Sequence, residues 1–92
     1  MVNDLAGSGV SFTAILTGKT LNDGDNVFLT GYPGYSCSEV SVFSSTGDQL
    51  LEANLKNTNT TTGEITINVG LIAPKTNCEI HCIVSKIWEN YY

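Results

Sequence analysis

The chain has 92 residues, one domain's worth of polypeptide and too few for two independent cores. Hydrophobic residues make up 41% and charged residues only 14%, while Ser, Thr and Asn together supply 28 positions, so the wetted surface is built mainly from neutral hydrogen-bonding groups. Four lysines, no arginine and nine acids give a net charge of -5, which leaves no cationic field for nucleic acid or for an anionic membrane.

Taken in chain order, residues 1–9 hold Asn3, Asp4, Gly7, Ser8 and Gly9 with little to bury and read as a flexible lead-in to a single domain over 10–92. Neither a basic, apolar leader nor an eighteen-residue apolar run is encoded, so synthesis in the cytoplasm without a signal peptide is expected. From Val10 the pattern alternates: Val10, Phe12, Ala14 and Leu16 point one way, Ser11, Thr13 and Thr17 the other, as in a half-buried strand. Leu21 to Asn26 is dense turn chemistry, and Val27-Phe28-Leu29-Thr30 is a second strand.

Gly31 to Ser36 reads as a loop around Pro33-Gly34, and Cys37 is expected in that loop. Glu39 to Phe43 alternates. Ser45 to Asp48 then turns the chain into Gln49 to Leu55 as a hairpin. Asn57 to Gly63 has no apolar side chain and is expected as an exposed turn, followed by Ile65-Thr66-Ile67-Asn68-Val69, the cleanest period of two in the chain. The last segment fits two templates. Cys78, Ile80, Cys82 and Val84 share one face of a strand, whereas Ile80, Ile83, Val84, Ile87 and Trp88 suit a helix capped by Thr76 and Glu79; the β-branched content favours the strand. Six to seven short strands with a turn about every ten residues predict an all-β, antiparallel β-sandwich, with a small barrel as the alternative. The expected core is Val10, Phe12, Leu16, Val27, Leu29, Val40, Val42, Leu51, Leu55, Ile65, Ile67, Val69, Ile80, Cys82 and Val84.

Asp23 to Gly31, followed by Ser45-Thr46-Gly47-Asp48-Gln49-Leu50, resembles the early strands and central hairpin of bacterial and phage immunoglobulin-like modules over about half of the chain. The paired cysteines and central tryptophan of antibody-type domains have no counterpart, since Trp88 lies near the end. The resemblance implies a display, spacer or assembly module, as in virion decoration proteins and adhesins, and carries over no catalytic residue.

The residues bearing chemistry are few. Cys37, Cys78, His81 and Cys82 offer a Cys3His set by composition, but on a strand His81 faces away from Cys78 and Cys82, and those two stand about 13 Å apart, so no metal or other cofactor is expected. The same spacing forbids a Cys78–Cys82 disulfide; only Cys37 could pair, and three reduced thiols filling apolar space are expected. Asn22 to Asn26 lacks the spacing and closing Glu of a calcium loop. No motif of an enzyme is present. The aromatics are the candidate binding residues, for a protein partner or a glycan: Tyr32 and Tyr35 bracket a loop, and Trp88, Tyr91 and Tyr92 crowd the carboxyl end. The expectation is a non-enzymatic structural module working through protein contacts or self-association in a phage particle, with glycan binding as the alternative.

Overall fold

The computed structural model describes residues 11–86, and within them the chain forms six strands and no helix. They are β1 (Ser11–Leu21), β2 (Gly24–Leu29), β3 (Tyr35–Phe43), β4 (Asn54–Asn59), β5 (Glu64–Val69) and β6 (Lys75–Lys86). Two antiparallel sheets of three strands result, ordered β1-β6-β3 and β2-β5-β4. Their inner faces share one apolar core, an arrangement consistent with a β-sandwich. The expected lead-in over 1–9, and Val10 as its first core residue, lie outside the described residues.

Both central strands show why the pattern works. On β5, Ile65, Ile67 and Val69 are buried while Glu64 and Asn68 face water. On β6, Cys78, Ile80, Cys82 and Val84 are buried in strict alternation, so the strand template prevails over the helical one. A central strand has partners on both sides, and β6 pairs with β1 and β3 at once, which a helix could not do. Asn77, with φ 56°, and Gly18, with φ 67°, lie where the β1–β6 register shifts and take up the irregularity in conformations those residue types tolerate.

Three expectations are corrected. Gln49 to Leu55 is not the second arm of a hairpin with β3: after a single bridge between Phe43 and Gln49 the chain leaves β3 and crosses to the other sheet, where Asn54 and Leu55 open β4, leaving Leu51 exposed rather than in the core. The hairpin partner of β5 is β4, which runs into the polar stretch expected as a turn; only residues 60–63 turn. Leu55 and Thr58 face inward on β4, and Thr suits a half-buried pleat. Cys37 is not in a loop but buried on β3, because β3 starts at Tyr35, directly after the Pro33-Gly34 turn.

The largest correction is the phase of β2. Val27 and Leu29 were expected in the core, yet they are 58% and 60% exposed, while Asn26 and Thr30 are buried and Phe28 packs on the core. Asn26 determines the inversion. Its Oδ1 accepts from the Asn22 amide at 2.9 Å and its Nδ2 donates to the carbonyls of Asn22 at 2.8 Å and Gly24 at 3.2 Å, so the side chain staples the β1–β2 turn from within. With period two, pinning one residue inward turns its neighbours out.

Candidate functional site

The loop after β2 is held by backbone bonds to the β4–β5 turn: Thr30 N–H donates to the Gly63 carbonyl at 2.8 Å and Gly34 N–H to the Thr60 carbonyl at 2.7 Å. Thr30 Oγ1 accepts from the Tyr32 amide at 3.1 Å, and Tyr35 N–H closes the turn onto the Tyr32 carbonyl at 3.1 Å. This anchorage brings Tyr32 and Tyr35 together with Phe12 of β1. Ring centroids are 4.9 Å apart for Phe12 and Tyr32, 5.6 Å for Phe12 and Tyr35 and 5.8 Å for the two tyrosines, all edge-to-face. Lys86, opposite Tyr35 on β6, places its Nζ 5.1 Å from the Tyr35 centroid. Tyr32 remains 41% exposed, whereas Tyr35 is half-buried.

Two of the five expected binding residues are thus brought into one cluster; Trp88, Tyr91 and Tyr92 lie outside the described residues. Among the described residues β2 is an edge strand that pairs only with β5, and its outward Val27 and Leu29 run toward the loop that carries Tyr32. Neither residue was legible as a surface group, because their hydrophobicity alone places them inside. The signal that could have found them is Asn26 four residues after Asn22, an Asx-type staple at the strand entrance.

The remaining polar groups are engaged elsewhere. Asp25 accepts from Lys56 and from Asn68, each at 2.7 Å, and those bonds, the Lys56 one foremost, hold its carboxyl below the ordinary 3.8. Asp23 Oδ1 accepts from the Leu71 amide at 2.9 Å, so the acids of the 22–26 turn serve local structure. His81 faces outward on β6, 2.8 Å from Glu79 Oε1 and against the Phe43 ring, while Cys78 and Cys82 face the core. Among the described residues no group of three or more His, Cys, Asp or Glu side chains is placed to hold a metal ion. A shallow hollow at the opposite end of the sheets is lined by Ser44, Thr46, Asp48, Lys75 and Thr76. Its Ser44, Thr46 and Asp48 bond one another and the turn backbone.

No protein-family model matches the sequence, and comparisons with the curated proteins and with the solved structures found no match.

Proposed function

We propose that the chain is a non-enzymatic, immunoglobulin-like structural or assembly module that works through protein–protein contacts, as a capsid or tail accessory component of a phage particle. The observation that carries the reading is the β2 edge, where Val27 and Leu29 project into water from a strand whose outer backbone groups have no partner strand among the described residues. Neither lysine nor proline, the usual devices that blunt an edge, occurs in Gly24–Leu29. A second chain adding a strand there would cover both side chains and meet Tyr32 at the end of the strand. The two-sheet antiparallel arrangement supports the immunoglobulin-like assignment, and the charge-poor surface of neutral hydrogen-bonding groups suits a module packed in many copies.

Light scattering and particle fractionation test this. The chain should band with particles after lysis of an infected culture and form complexes in solution, and the double variant Val27→Ser, Leu29→Ser should lose both properties while still unfolding cooperatively with a loss of under about 2 kcal/mol. An unchanged assembly in that variant removes β2 from the interface; a wild-type chain that is monomeric and absent from particles overturns the reading.

Glycan binding is the second reading, and Tyr32 favours it as an exposed ring at one end of the sheets. The rings do not form a flat platform, since Tyr32 and Tyr35 stand 68° apart and Lys86 sits over Tyr35. A saccharide would therefore stack on Tyr32 alone, and Tyr32→Ala should abolish binding in a glycan titration followed by tyrosine fluorescence.

A further inference from the structure

Two thiols meet on the inner face where β3 joins β6. In the register of these strands Cys37 lies opposite Val84 and Val40 opposite Cys82, so the two cysteines are diagonal neighbours on the same buried face. The register shifts between Cys37 and Glu39, adding a residue on the β3 side at this point. The Cys37 thiol donates to the Glu39 carbonyl at 3.6 Å, and the thiol diagonal to it across the strands is Cys82. Cys78 is set apart: it pairs with Lys19 of β1, and its Sγ points to the Lys75 carbonyl at 3.6 Å.

We propose that Cys37 and Cys82 form an oxidisable pair that closes into a disulfide between the edge strand β3 and the central strand β6 when the chain meets a peroxide. The site has the parts such a reaction needs. Cys37 is only 6% exposed but lies on an edge strand, within reach of an oxidant as small as hydrogen peroxide. Because β3 has no partner strand on its outer side among the described residues, it can make the small shift that brings a diagonal pair into disulfide range.

The two thiols also differ in acidity. The neighbouring Cys82 thiol stabilises the Cys37 thiolate and brings its pKa down to about 7, while the presence of Cys37 and burial push Cys82 up. Cys37 is therefore the attacking sulfur. Its thiolate displaces hydroxide from hydrogen peroxide to give a sulfenic acid, and the Cys82 sulfur then attacks Cys37, releasing that oxygen as water with the Cys82 proton. Both thiols together lose two electrons, and the peroxide is reduced to water. The inference does not depend on the assembly reading: it concerns the core and would hold for a monomer.

The test exposes the purified, reduced chain to hydrogen peroxide, alkylates what remains and maps the peptides without reduction. Before alkylation the oxidised monomer should be about 2 Da lighter than the reduced chain. A Cys37–Cys82 cross-link should be found with Cys78 still alkylated, at a rate that rises with pH as the Cys37 thiolate forms. The Cys78→Ala variant should give the same link, which keeps the test open if Cys37→Ser or Cys82→Ser fails to fold. A Cys37 sulfinic acid with Cys82 still alkylatable, a link through Cys78, links only between chains, or three unreacted thiols would each overturn the proposal.

Discussion

Replacing Asn26 separates the observed phase of β2 from the one that hydrophobicity alone would select. The side chain is 7% exposed and makes three well-formed bonds to the turn it closes, at 2.8, 2.9 and 3.2 Å. Asn22 is exposed, so its freed amide and carbonyl return to water, and the loss in Asn26→Ala is the net value of the bonds, about 1 kcal/mol each. A fall of about 2–3 kcal/mol is expected, or roughly 10–20 °C in melting temperature for a domain of this size. The controls are the adjacent outward residues: Val27→Ser and Leu29→Ser remove side chains already in water and should each cost under about 1 kcal/mol, mostly lost strand preference. Urea unfolding with an unchanged slope gives the comparison directly. If either apolar replacement costs more than Asn26→Ala, Val27 and Leu29 are core residues, and the docking edge built on them disappears.

Gly63 has φ 82°, and a Cβ there would come within 3.1 Å of Thr30 Oγ1 and 3.4 Å of the Pro33 nitrogen. Gly63→Ala should cost about 1–3 kcal/mol and weaken the nuclear Overhauser contacts between Phe12 and Tyr32, because the loop carrying Tyr32 rests on this turn. Asp25 has a folded pKa below its ordinary 3.8, so its contribution is present above 3.8 and lost as pH falls through the lower folded value. The melting temperatures of wild type and Asp25→Asn should therefore converge in acid, and high salt should narrow the gap at neutral pH. Oxidation of Cys37 to Cys82 closes a loop of about 45 residues, worth about 4 kcal/mol by chain entropy; an oxidised form that melts at or below the reduced form would show that strain cancels the gain.

The fold class was legible because the two central strands are buried on their inner faces throughout and write that burial as clean alternation: Ile65, Ile67 and Val69 on β5, and Cys78, Ile80, Cys82 and Val84 on β6. Where the chain passes from one sheet to the other, alternation carries no such information. Gln49 to Leu55 looked like the return arm of a hairpin because Ser45 to Asp48 does turn; what ended the pairing was a crossover to the other sheet, a tertiary event with no local signature. Cys37 was misplaced for a related reason. A Pro-Gly turn marks a bend but not how soon pairing resumes, and here it resumes at Tyr35, which swings Cys37 into the core beside Cys82.

The candidate site shows the same limit more sharply. Tyr32 and Tyr35 could be read from the loop that holds them, but Val27 and Leu29 could not, because in a strand of six residues the choice between two faces rests on a few side chains. Leaving Val27 and Leu29 58% and 60% exposed forgoes roughly 1–2 kcal/mol of burial for each. The opposite phase would bury them but turn Asn26 outward, undo the staple across the turn and take Phe28 off the core. Thr30 would also turn out, although its hydroxyl accepts from the Tyr32 amide and its own amide donates to Gly63. Turn closure, the Phe28 contact and the anchorage of the aromatic loop thus all act on one face of β2. A partner strand laid on that edge recovers the burial that the isolated fold forgoes, which is why the residues most expected in the core are the ones assigned to the interface.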